Sequence, residues 1–327
     1  MPGRPDAVRI LTDVTIPPTG PLTGKVPLTG NQYQIEAGPY RAMLTALGAG
    51  LREFCYRDEP LLHGYQPDEL PPAAAGQLLA PWPNRIDNGR YTFNGAEEQL
   101  AVSEPAKSTA IHGLTRWANW TGIRHDASAV LLRCEPHGQQ GYPFSVEIDA
   151  LYEVDAETGL RVTITARNRG SHPAPYGNGW HPYFQVATPS IDECELTLPA
   201  SRYLPLDERG LPSGPAEAVD GTQYDFRKPR TIGDTSLDTP MTGLITDAGG
   251  RAWAHLAADG NRLSLWVGEG YRWLQVFTGD TLGPDRRRKA IAIEPMTCPP
   301  NAFVTGEDLL VLQPGDEVTH SWGITAS

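Results

Sequence analysis

Four short segments carry the side chains best suited to chemistry: Gly76-Gln-Leu-Leu-Ala-Pro-Trp-Pro-Asn-Arg-Ile86, Ile111-His-Gly-Leu114, Tyr176-Gly-Asn-Gly-Trp-His-Pro-Tyr-Phe184 and Ile293-Glu-Pro-Met-Thr-Cys-Pro-Pro-Asn-Ala-Phe303. Each offers a His, Arg or Glu, and three of the four add aromatic rings and stiff prolines. Imidazole and carboxylate can exchange protons near neutral pH. Aromatic faces can stack on a sugar ring while polar groups bond its hydroxyls. Other chemistries fail on spacing. Gly20 to Lys25 is one residue short of a phosphate loop, and Gly177-Asn-Gly179 lacks the third glycine and following helix of a dinucleotide fingerprint. There is no G-x-S-x-G elbow and no H-E-x-x-H. Cys55, Cys134, Cys194 and Cys298 lack CxxC spacing and read as buried free thiols. The run Arg286-Arg-Arg-Lys289 reads as a solvated loop, with an anion site as its alternative.

These segments must be held by strands. From Phe144 to Val154 every even position is apolar, and the odd ones are mostly Ser, Glu or Asp. A period of two places the apolar set on one face of a strand. Similar runs lie at Tyr33 to Ala37, Tyr40 to Leu47, Leu51 to Tyr56, Ala129 to Cys134, Leu160 to Ala166, Arg262 to Val267, Tyr271 to Thr278, Ala290 to Glu294 and Glu317 to Ile324. The spacing predicts a sandwich or barrel, and only Asn301 to Leu310 suggests a short helical turn. Composition agrees: 34 Gly and 31 Pro among 327 residues make about a fifth of the chain, against roughly 12% ordinarily. Both residues weaken helix interiors.

The hydrophobic share of 39% supports a core, and the net charge of −12 argues against nucleic acid as a partner. No run is long and apolar enough for a membrane span, and no secretory h-region follows the N-terminus, so a cytoplasmic location is expected. Residues 1 to 30, with PLTG twice, are expected to form an extended or mobile arm. Residues 31 to 327 are expected to form one domain.

In this order, APWPNRI, AIHGL, GNGWHPYF and AIEPMTCPPNAF resemble the aldose 1-epimerase (galactose mutarotase) family, in the wording of its bacterial, YihR-like members. The resemblance runs from about Gln32 to the C-terminus. It implies an all-β fold, a single large antiparallel β-sandwich. It further implies interconversion of the α and β anomers of a free aldose, without cofactor or metal, on a small sugar such as an aldohexose.

Such a reaction needs a base for the C1 hydroxyl and an acid for the ring oxygen. The resemblance assigns the base to Glu294 and the acid to His181, an ionised Glu and a His titrating near neutral pH. It makes Arg85 a donor to sugar oxygens, with an ion pair to Asp87 as the alternative reading, and gives His112 a place at the ring oxygen. The sugar-binding Asp falls on Asp238, with Asp234 as competitor. Trp82 is a candidate stacking wall or an ordinary half-buried aromatic. The remaining histidines (His63, His125, His137, His172, His255, His320) read as structural. Two further functions stay open: a non-catalytic sugar-binding or regulatory protein, and an epimerase for a phosphorylated or sulfonated sugar. The second requires a cation such as Arg286, Arg287 or Arg288 in the pocket.

Overall fold

The computed structural model describes residues 26–327. All the alternating segments form strands, with ends displaced by at most a few residues; Phe144 to Val154, for example, becomes Val146–Asp155. The helical turn appears at Ala302–Thr305.

Two antiparallel sheets dominate. The larger has nine strands, and its centre is Val146–Asp155, Gly159–Asn168, Glu317–Ala326 and Asn261–Val267. The smaller has seven, in the order Glu217–Ala218, Ala200–Tyr203, Asp238–Leu244, Trp273–Phe277, Ala292–Met296, Gly179–Trp180 and Leu78–Leu79. Ile148, Val162, Ile164, Leu265 and Trp322 of the larger sheet join Met241, Leu274, Val276 and Ile293 of the smaller in one apolar cluster. Each such side chain contributes about 1.5–3 kcal/mol by leaving water. A one-residue slip would turn the whole set outward, so burial fixes the register.

A four-stranded sheet, Gln32–Ala37, Tyr40–Thr45, Leu51–Tyr56 and Glu59–Pro60, is latched onto the sandwich. Tyr40 donates its hydroxyl to the Ala326 carbonyl at 3.0 Å, and Tyr152 donates to that of Ala49 at 2.6 Å. Of the arm expected over residues 1 to 30, residues 1–25 lie outside the described residues. Thr29 is fully buried, and its hydroxyl donates to the Pro67 carbonyl at 2.9 Å, so the segment's end packs into the body. All four cysteines are free, with Cys134, Cys194 and Cys298 buried and Cys55 half-buried. No helix among the described residues is long and apolar enough to cross a membrane.

The seven-stranded sheet positions the candidate site. Gln275 pairs with Glu294, and Phe277 pairs with Asp238. Successive strand residues point to opposite faces. Leu274, Val276, Met241 and Ile293 therefore enter the core, while Gln275, Phe277, Asp238 and Glu294 share the other face. Glu294 was expected to end its strand before Pro295. Instead the strand runs through Pro295 to Met296. Burial of Ile293 and Met296 outweighs the one ladder bond a proline cannot donate, worth about 1 kcal/mol.

Candidate active site

A cavity of about 460 Å³ opens on that face. Glu294 and Gln275 contribute from the sheet, and His181 follows directly after Gly179–Trp180. Trp180 anchors this short strand by stacking on Trp322, centroids 3.9 Å apart, and by donating its indole N–H to the Gly76 carbonyl at 2.8 Å. The opposite wall comes from the ribbon Arg85–Asp87 with Thr109–Ile111, in which Arg85 pairs with Ile111. The chain then turns through His112 and Gly113, both at positive φ. A Cβ on Gly113 would lie 2.1 Å from the Ala80 carbonyl oxygen, so only glycine lets the turn close on the Ala80 strand end. The turn sets the His112 ring edge-to-face against His181, centroids 5.3 Å apart.

His181 Nε2 and Glu294 Oε1 stand 3.4 Å apart, and the two residues are 6% and 2% exposed. Burial pushes the Glu294 carboxyl well above the usual carboxylate range, with Asp238 adding to the push and Arg85 opposing it. Burial, reinforced by the charges of Arg116 and Arg85, pushes His181 down to about 3. Burial, then the neighbouring His181, Arg116 and Arg85, drives His112 well below its ordinary value. An ionised Glu beside a His titrating near neutrality was expected. Desolvation moves the two groups away from that expectation, Glu294 upward and His181 downward.

Gln275 donates to Asp238 Oδ1 at 2.6 Å and accepts from Asn84 Nδ2 at 3.4 Å. Arg85 forks onto Glu104, Nε to Oε2 at 2.8 Å and Nη2 to Oε1 at 3.0 Å. Asn84 Oδ1, His112 Nδ1, His181 Nδ1 and Glu294 Oε2 are buried without a hydrogen-bond partner among the described residues. Such atoms are costly in a core and are the natural contacts of a polar ligand. No three His, Cys, Asp or Glu among the described residues group as a metal site would require.

The structure thus brings Glu294, His181, Arg85, His112 and Asp238 to one cavity, with Asp234 outside its lining. Trp82 is not a wall of it. The indole is 3% exposed and packs against Phe303 and Tyr142 at 5.6 and 6.5 Å, because the core offers its large apolar surface more burial than a wet rim would. The aromatic rings on the cavity are Tyr183 and Phe277. Asp87 pairs with Arg209 at 2.6 Å and not with Arg85. The basic run also faces elsewhere: Arg288 is held by Asp192 and Asp280, and Arg286 donates to the His63 and Gly64 carbonyls. The other cations on the cavity are Lys107 and Arg116.

Sequence reasoning missed Gln275, Asn84, Glu104, Lys107 and Arg116. Gln275 had a signal, a lone amide between Leu274 and Val276 in a buried strand. Asn84 lay inside a quoted motif, whereas Glu104 reaches Arg85 through the pairing of Glu104 with Thr109 and carried none.

Comparison with known proteins finds relatives along nearly the whole of the described chain. The profile of the aldose 1-epimerase family matches residues 31–325. The uncharacterized protein YihR of Escherichia coli K12 is 36% identical over 287 residues, covering 88% of this chain and 90% of YihR. Galactose mutarotase of Rattus norvegicus is 26% identical, covering 94% of each chain. Among solved structures, the GalM/aldose epimerase homologue of C. elegans superposes with a TM-score of 0.82 at 20% identity, over 91% of this chain and 98% of that one. With the profile spanning nearly all the described residues, the chain belongs to the aldose 1-epimerase family.

Proposed function

We propose that the protein interconverts the α and β anomers of a free aldohexose, with Glu294 and His181 as the proton-transfer pair. One observation carries this reading: a buried carboxyl and a buried imidazole 3.4 Å apart on the wall of a polar cavity. In mutarotation the C1 hydroxyl gives up a proton and the ring oxygen takes one on, and both oxygens are bonded to C1. A neighbouring acid and base can therefore serve both.

The pair needs one proton between them throughout. With a cyclic sugar bound, ionised Glu294 takes the C1 hydroxyl proton while protonated His181 gives its Nε2 proton to the ring oxygen. The C1–ring oxygen bond breaks, C1 becomes an aldehyde, and the sugar opens. Glu294 is then protonated and His181 neutral, the state that burial favours. The protein environment therefore favours the protonation state belonging to the open-chain intermediate. Rotation about C1–C2 and return of both protons close the ring on its other face. Arg85 and His112 supply donors to the sugar oxygens. Asp238, oriented by Gln275, accepts from a hydroxyl.

The test is anomerisation of freshly dissolved α-D-glucose and α-D-galactose, followed by polarimetry or NMR exchange. Acceleration by the wild type and its loss, on the order of 100 to 10,000-fold, in Glu294→Gln and in His181→Asn are expected. Full activity in Glu294→Gln overturns the mechanism. Saturable binding without acceleration across the panel makes the protein a non-catalytic sugar binder.

A second reading, an epimerase for an anionic sugar, is favoured by Lys107 and Arg116 on the cavity wall. Arg116 lies over Trp117 at 5.0 Å and makes no ion pair among the described residues. Adding a hexose 6-phosphate and a 6-sulfonated hexose to the panel separates the two: the anionic substrate must exceed its neutral parent in kcat/KM by tenfold or more.

A further inference from the structure

Arg85 is 8% exposed, and it shares the cavity with two carboxylates, Asp238 and Glu294, whose charges it feels. Among the described residues it forms an ion pair with neither. The structure shows it committed elsewhere. Glu104 engages Nε and Nη2 side-on at 2.8 and 3.0 Å, the bidentate geometry that fixes the plane of an arginine.

Glu104 is itself fixed. The Thr109 hydroxyl donates to Oε2 at 2.6 Å, and the backbones of Glu104 and Thr109 exchange hydrogen bonds at 2.9 and 3.2 Å. The guanidinium is also pressed from a second side. Gly210 has φ +74°, and a Cβ there would lie 2.6 Å from Nη1. The loop bearing Gly210 is tied down by Arg209, which donates to the carbonyls of Lys107 and Ser108 and to Asp87 at 3.0, 3.0 and 2.6 Å.

We propose that Glu104 is a positioning residue, a third carboxylate that holds Arg85 off Glu294 and keeps its remaining N–H groups aimed into the cavity. The pair it forms is neutral overall, so the sugar meets donors without a lone cation beside the base. This rests on Glu294 being the base, but it makes a claim about Arg85 that needs no substrate to test.

Glu104→Gln turns the neutral pair into a lone cation. Carbon-13 NMR titration of the Glu294 carboxyl, without sugar, is expected to show its midpoint falling by about one unit or more, the usual effect of an opposite charge at close range. The same substitution made in Arg85→Ala is expected to move it little, because the effect passes through Arg85. With D-galactose or D-glucose, Glu104→Gln lowers kcat tenfold or more and carries the acid limb of the pH profile downward with Glu294.

An unmoved Glu294 midpoint, or an equal shift in the Arg85→Ala background, overturns the proposal. If no aldose is anomerised by the wild type, the proposed function fails, and the sugar-free titration still decides the role of Glu104. Glu104→Asp covers a Gln variant that does not fold. It keeps the charge but is too short to reach both Nε and Nη2, so it must raise KM or lower the Glu294 midpoint, and an unchanged protein on both counts overturns the proposal.

Discussion

Carboxylates are buried in two regions of this protein, and the regions treat them oppositely. On the nine-stranded sheet, Glu147 and Asp149 are 6% and 7% exposed on the face turned away from the core. Cross-strand register sets Arg133 opposite Asp149 and Arg167 opposite Glu147. Asp149 accepts from Arg133 at 2.6 and 2.8 Å and from Arg167 at 2.7 Å, and Glu147 accepts from Arg167 and Arg169 at 3.1 and 2.8 Å. Burial alone would raise both carboxyls, yet the arginines hold them below the usual range. Glu294 is buried no less thoroughly, but Oε2 has no partner among the described residues and its carboxyl is driven upward. Burial is common to both regions. Partners decide whether a carboxylate is a structural ion or a group ready to move a proton.

The largest expected effect sharpens this contrast by exchanging each carboxylate for its amide. Glu294→Gln is expected to lower anomerisation on the order of 100 to 10,000-fold but to stabilise the fold near neutral pH, since it removes a buried group that resists ionisation. Asp149→Asn leaves turnover intact and destabilises by about 1–3 kcal/mol, because Arg133 and Arg167, both partly buried, lose one of the two carboxylates they share and keep Glu147 as the other. Thermal melts and the polarimetric assay on both variants check the pair. The contrast breaks if Glu294→Gln destabilises or Asp149→Asn loses turnover.

The pH dependence of the same melts gives a smaller effect of opposite sign in the two regions. Glu147 and Asp149 titrate lower in the folded chain than unfolded, so their contribution is present above the ordinary carboxylate range and is lost as pH falls through their depressed values. Glu294 titrates higher when folded. Its contribution is complete below its unfolded value, near 4.5, and is lost as pH rises through the folded one. The stability gain of Glu294→Gln should therefore appear near neutral pH and vanish by about pH 4, while the deficit of Asp149→Asn should shrink as pH drops below about 4.

Much of this was legible in the sequence, for reasons that differ by residue. Alternation between Phe144 and Val154 revealed a strand because burial enforces a period of two, and the even set does enter the core. The alternation does not say whether Glu147 and Asp149 on the other face meet water, and arginines from neighbouring strands in fact cover them. The four motif segments held seven of the cavity's residues, Asn84, Arg85, Ile111, His112, His181, Tyr183 and Glu294, because loops and strand ends concentrate chemistry locally. Trp82 misled because a motif tells which residues are near a site and not which way each ring turns. Glu104 and Gln275 were illegible as partners of Arg85 and Asp238. Register set by distant strands brings them together, and one sequence carries no mark of it.

The smallest expected effect tests how far partner number, as opposed to partner presence, governs the paired region. Arg169 is the outermost of the three arginines, with a side chain 57% exposed, against 31% for Arg133 and 24% for Arg167. Its bond to Glu147 Oε1 is shared with Arg167, and Arg133 stands 3.5 Å from Oε2. Removing Arg169 leaves Glu147 with two cations, so its carboxylate does not become the lone buried charge that makes such deletions costly. An exposed partner is also screened and gives up side-chain entropy to hold its pose. Arg169→Ala is accordingly expected to lower stability by no more than about 0.5 kcal/mol, with no change in turnover, as read by denaturant melts and the polarimetric assay. A loss as large as that of Asp149→Asn would mean that the region relies on every one of its pairs, and that its carboxylates are nearer to the condition of Glu294 than their short bonds indicate.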